Sequence, residues 1–145
     1  MQYYSEVRPE EHPEWLTDDL PMWLWFAARS RYMALDRPTA VHRVLRHSVS
    51  HNPDYRKKLQ FVDSLADISL WYDEHYNSSR LRHELLVAKQ NTALWLLSFN
   101  GSAGEYLSRW WSDIRSEKRL IRNIASYGLF IKKIAWRMWR KNDKR

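Results

Sequence analysis

The chain predicts an all-α fold: a single-domain bundle of five to six helices, closed by a long basic C-terminal helix. Three observations lead there. Apolar residues recur at helical 3-4 spacing along most of the 145 residues. Prolines and Asn/Ser clusters fall between those periodic stretches and not inside them. Only three glycines occur, at 101, 104 and 128, and little in the sequence competes as a strand signal. A domain of this length buries roughly two-thirds of the surface its unfolded chain exposes, so it can hold a core without covalent staples.

The elements follow in order. Residues 1–20 form an acidic N-terminal arm with a short helical turn over Pro13–Leu20. Pro21, tolerated in a first helical turn, opens a helix over 21–36 in which Leu24, Ala27, Ala28, Tyr32 and Leu35 share spacing. Pro38 starts the next, to about His51, with Val41, Val44, Leu45 and Val49 on one face. Asn52 as N-cap and Pro53 as first residue begin a helix over 53–76, with Leu59, Val62, Leu65, Ala66, Ile68 and Trp71 inward. Asn77-Ser78-Ser79 breaks the chain, and a helix over 79–99 follows with Leu81, Leu85, Ala88, Thr92, Trp95, Leu96 and Phe99 as its stripe. Asn100-Gly101 stops it, glycine accepting a left-handed conformation cheaply. Ser102 and Glu105 then have the spacing of a capping box. From Ala103 to about Lys141 no proline intervenes, and a single helix of that length would be roughly 58 Å long, beyond the roughly 40 Å diameter of a compact domain this size. Either the helix breaks, near Ser116 or at Gly128, or its basic end projects beyond the body; a break near Ser116 is favoured, because Ser116 can cap a new helix and Gly128 lies inside a strong apolar run.

Composition excludes several function classes. There is no cysteine, hence no disulfide, cysteine-ligated metal or thiol nucleophile, which fits a reducing compartment and a cytoplasmic location. Three scattered glycines cannot build a phosphate-cradling or dinucleotide loop, and no cofactor is implied. With 28% charged residues and a mean hydropathy of −0.70, no membrane-spanning segment is expected, and the acidic N-terminus lacks a secretory apolar region.

Charge is polarised along the chain. The net charge is +7, yet residues 115–145 hold eleven basic residues against two acidic ones, a net +9, leaving −2 for residues 1–114. The cations Arg115, Lys118, Arg119, Arg122, Lys132, Lys133, Arg137, Arg140 and Lys141, with Trp136 and Trp139 among them, form the candidate anion-binding set. Nucleic acid is the first-choice partner, through phosphate contacts and base stacking on the tryptophans, either directly or within a larger assembly. An anionic membrane surface or an acidic protein groove suits the same amphipathic helix. The plain structural reading is a solvated basic face over a core stripe of Leu120, Ile124, Tyr127, Ile131, Ile134 and Met138. Most of the nine tryptophans are expected in the core, with Trp110 and Trp111 about 100° apart so that one packs and the other nears the surface.

Catalytic signals are sparse. His47 and His51 stand four apart, but neither a glutamate at the metalloprotease position nor a third ligand accompanies them, so no metal is expected. Arg46-His47-Ser48-Val49-Ser50-His51 resembles the R-[N/D/H]-x-x-x-H signature of the HEPN ribonucleases, which are small all-helical proteins. That resemblance covers six residues and implies that Arg46 and His51 act on an RNA phosphodiester at a dimer interface. Arginine would stabilise the phosphorane charge and histidine would move the proton. On an ideal helix, however, five positions turn these two residues about 140° apart. The expectation from geometry is therefore a non-enzymatic binding protein with no metal-independent RNA cleavage.

Overall fold

The computed structural model describes residues 2–31, 33, 36, 53–76 and 79–142. All regular structure among them is helical: α1 (Gln2–Val7), α2 (Asp19–Arg29), α3 (Tyr55–Tyr76), α4 (Arg82–Asn100), α5 (Ala103–Ser116) and α6 (Ile124–Asn142), with 3-10 turns at Pro9–Glu11 and Lys118–Arg122. The fold is all-α, as the sequence predicts. The chain divides into two compact units, Met1–Arg82 and His83–Arg145. The helix predicted over 38–51, with Asn52, lies outside the described residues.

In the first unit the acidic stretch is folded onto α2 and α3. Val7 of α1 is buried with Ile68 and Tyr72 of α3, and Tyr3, Trp15, Leu20, Leu24, Trp25 and Trp71 pack around them. Its charges are matched locally. Glu6 accepts a hydrogen bond from Trp25 Nε1 at 3.1 Å and pairs with Arg29. The Trp25 bond, with help from Gln2 and Arg29, holds its carboxyl below the usual carboxylate range. Arg29 in turn lies over the Trp25 and Tyr76 rings, at 4.8 and 5.1 Å. Two long polar contacts close the unit: the Tyr72 hydroxyl donates to Pro21 O at 2.6 Å, and Leu16 N donates to Ser64 Oγ at 2.7 Å.

Three boundaries differ from expectation. Residues 13–14 form only a turn, and α2 starts at Asp19. That helix ends at Arg29, seven residues early, where Ser30 turns extended after bonding Phe26 O. Helix α3 begins two residues late because Asp54 does the capping, its Oδ1 accepting from Arg56 N at 2.9 Å.

The second unit contains the sharpest local signal in the chain. The capping box at the start of α5 is present in both directions: Glu105 N donates to Ser102 Oγ at 3.1 Å and Ser102 N to Glu105 Oε2 at 2.7 Å. Gly101 stops α4 for a reason other than the one expected, since no glycine has positive φ. A Cβ at Gly101 would stand 2.7 Å from Leu97 Cδ2, so the residue serves a close approach. The continuous stretch after Ala103 does break at Ser116, whose Oγ donates back to Asp113 O and caps nothing ahead of it. Glu117 is extended and starts the 3-10 turn, its carboxylate accepting from Arg119 N at 3.1 Å.

The packing of this unit inverts the expected faces. Helix α4 buries Gln90, Ala93, Leu94, Leu96, Leu97 and Ser98, while Leu81, Ala88, Thr92, Trp95 and Phe99 of the expected stripe are exposed. Helix α6 turns Ser126 and Lys133 inward together with half-buried Tyr127 and Phe130, and exposes Ile124, Ile131, Ile134 and Met138. Only Leu120 and Tyr127 of the expected core stripe point into the unit. This polar core is knit by hydrogen bonds among its members, although the buried Nε2 of Gln90 finds no partner among the described residues. Asn123 Nδ2 donates to Gln90 Oε1 at 2.7 Å and to Asn91 Oδ1 at 2.9 Å, and Ser126 Oγ donates to Asn123 O at 2.8 Å. None of the nine tryptophans is fully buried, and Trp23, Trp95, Trp111, Trp136 and Trp139 are exposed. Trp110 and Trp111 divide as expected: Trp110 packs on Phe130 and Tyr127, and Trp111 faces outward.

Candidate functional site

The described part of the basic stretch, residues 115–142, is not one helix but the end of α5, the 3-10 turn and α6, and this division decides where its charges lie. With three residues per 3-10 turn, side chains at i and i+3 eclipse. Arg119 and Arg122 therefore share one edge, Lys118 and Ile121 another, and Leu120 goes alone into the core, where it is buried. An α-helix over the same five residues would have turned Arg119 and Arg122 about 60° apart.

Asn123 anchors the turn. By bonding Gln90 and Asn91 it pins the end of the turn against α4. Seven residues before Gln90, on the same face of α4 and roughly 10 Å along its axis, is His83. His83, Lys118, Arg119 and Arg122 together line an open cleft of about 490 Å³. All four are exposed, and among the described residues none of them forms a salt bridge. Its volume is in the range of small-molecule sites, and all four of the side chains that line it are basic. The chemistry it offers is neutralisation of negative charge by two planar guanidinium forks and an ammonium, with an imidazole beside them as a hydrogen-bonding group.

The remaining candidates scatter. Arg115 is exposed in the last turn of α5. Lys132 is exposed, its Nζ 5.2 Å from the centroid of the Phe99 ring. Lys133, counted at first among the anion-binding cations, is turned inward and does different work. Its Nζ donates to Leu97 O at 3.0 Å, Ser98 O at 2.8 Å and Gly101 O at 2.9 Å, using all three ammonium protons on the carbonyl end of α4. Burial, with Arg137 nearby, pushes its pKa down from the ordinary lysine value. Trp136, Arg137 and Trp139 are exposed on α6, and Arg140 and Lys141 fall in its last turn.

Arg137 also stands at a second concavity. This is an apolar groove of about 340 Å³ between α5 and α6, walled by Tyr106, Leu107, Phe130, Ile134 and Met138. Arg46, His47 and His51 lie outside the described residues. Among the described residues no group of three His, Asp or Glu could hold a metal ion.

His83 was missed from sequence because it stands 35 positions before Lys118, in a locally unremarkable helix start. The signal that could have found it is its i, i+7 relation to Gln90, one of four consecutive polar residues (Lys89, Gln90, Asn91, Thr92) in the middle of α4. No protein-family model, no curated protein and no solved structure matches this chain.

Proposed function

We propose that this is a non-enzymatic helical binding protein that holds nucleic acid by its phosphates. The observation that carries the reading is the cleft in which His83 joins Lys118, Arg119 and Arg122, with no salt-bridging acid at any of the four among the described residues. Arg115 extends the cationic surface from the last turn of α5. A backbone contact of this kind carries little sequence information, because phosphates are the same at every step of the duplex or strand. The exposed tryptophans of α6 add surfaces on which unpaired bases can stack.

The test is affinity for mixed-sequence DNA and RNA across a range of salt concentrations. Binding at low salt should fall steeply as salt rises, because each neutralised phosphate releases counterions. Replacing Arg119 and Arg122 together by alanine should lower affinity for all sequences alike and reduce the salt slope by about two units. Absence of binding at low salt, or a slope unchanged by the double replacement, refutes the reading.

A further inference from the structure

The outward face of α6 is a second functional surface, independent of the cleft. On an ideal helix Ile124, Ile131, Ala135 and Met138 fall within about 60° of one another, and Trp139 borders them. These large side chains are 85% (Ile124), 66% (Ile131), 66% (Met138) and 64% (Trp139) exposed. The stripe runs through Ile134 and Met138 into the apolar groove beside α5, where Leu107 is also exposed. An apolar surface of this extent rimmed by polar groups marks a contact site and not ordinary surface scatter.

Charge identifies the occupant. Helix α6 has no acidic residue, and with Lys133 turned inward its other basic residues are Lys132, Arg137, Arg140 and Lys141. A second copy of the same face would set like charges against each other, which argues against self-association. Lys132 flanks the stripe on one side and Arg137 stands at the mouth of the groove, both exposed. No helix among the described residues is long and apolar enough to cross a bilayer, so the helix would lie on a surface. We propose that the second unit docks on an anionic lipid surface through this face of α6. Ile131, Met138 and Trp139 enter the boundary between head groups and acyl chains, while Lys132 and Arg137 stay with the head groups.

The experiment is co-sedimentation of the full chain with phosphatidylcholine vesicles, with and without phosphatidylserine. Recruitment is expected on the phosphatidylserine vesicles only, falling as salt rises. It should weaken at least tenfold in Ile131→Asp/Met138→Asp and several-fold in Lys132→Gln/Arg137→Gln, with helix content by circular dichroism unchanged because all four side chains are exposed. Lys118→Ala/Arg119→Ala/Arg122→Ala, which disables the cleft, should keep the part of recruitment that depends on Ile131 and Met138, so the two surfaces fail separately. The proposal is overturned by no recruitment, by equal recruitment on pure phosphatidylcholine, or by undiminished recruitment of the double aspartate variant. It is equally overturned if the stripe proves to bind a second copy, seen as concentration-dependent dimers that the aspartates abolish without any lipid binding.

Discussion

The two units solve the same problem, burying a small helical core, with opposite materials. In the first unit the buried Val7, Ile68 and Tyr72 are ringed by aromatic and aliphatic side chains, with Ser64 and Asp73 also buried, and Glu6 pairs with Arg29 and Arg8 with Glu11. In the second unit Gln90, Asn123, Ser126 and Lys133 are inside, while Trp95, Phe99, Ile131 and Met138 are outside. Leu16, Trp23 and Phe26 of the first unit are exposed as well, but in the second unit exposed cations and an exposed hydrophobic stripe share one helix, α6. The contrast is sharpest at two buried tyrosines: the Tyr72 hydroxyl donates to Pro21 O, whereas that of Tyr106 has no hydrogen-bond partner.

The largest test of this contrast is Lys133. Replacing it by alanine removes three charge-assisted hydrogen bonds and leaves Leu97 O with only its bond from Gly101 N, and Ser98 O and Gly101 O without the ammonium that meets them. We expect a loss of about 3 kcal/mol, read by denaturant unfolding. A loss near zero would mean that the polar interior of the second unit contributes nothing. Asn123→Ala should cost about 2 kcal/mol by stranding Gln90 and Asn91, and should also weaken phosphate binding because the basic turn is no longer pinned to α4. Stability and affinity are measured on the same variant, and loss of stability with unchanged affinity would separate the turn from the cleft.

A smaller effect distinguishes the tyrosines directly. Tyr72→Phe should cost about 1 kcal/mol through the lost bond to Pro21, while Tyr106→Phe should be neutral or slightly stabilising, since its hydroxyl is buried without a partner. Thermal unfolding of the two variants side by side decides it. Alkaline titration sharpens the same comparison. Burial pushes the Tyr106 hydroxyl up to about 12, and burial also raises Tyr72. The native state therefore keeps protons that the unfolded chain has already released. The stability Tyr106 supplies is complete below a pH of about 10 and is lost as pH rises through about 12, and that of Tyr72 is lost later still. Tyrosinate absorbance should show both groups titrating late and together with unfolding; early titration of either would show that it is not buried.

Local punctuation was legible and sidedness was not. The Ser102–Glu105 box, the stop at Asn100-Gly101 and the break at Ser116 each depend on residues within a few positions of one another, so spacing alone locates them. The faces of α4 and α6 depend on residues far apart. Periodicity shows that Leu81, Ala88, Trp95 and Phe99 share a face, and likewise Ile124, Ile131 and Met138, but it cannot say whether protein or something else covers it. What decides the inward face is a polar set whose members, Gln90 and Asn123 above all, are 33 residues apart. The site follows the same rule. Lys118, Arg119 and Arg122 were visible as local charge, whereas His83 and the withdrawal of Lys133 are products of tertiary packing.

The lysine cap at the end of α4 has a consequence for the order in which the molecule is completed. The three carbonyls it satisfies belong to residues that precede it by 36, 35 and 32 positions. As the chain is synthesised, α4 and α5 emerge complete in sequence but with that helix end open to water, and it closes only when α6 arrives. A nascent or truncated chain ending before residue 133 lacks the closing group however good its local signals are. A protease cut between Asn123 and Lys133 would therefore be felt at the end of α4, about thirty residues upstream of the damage, because the group that closes it lies beyond the cut.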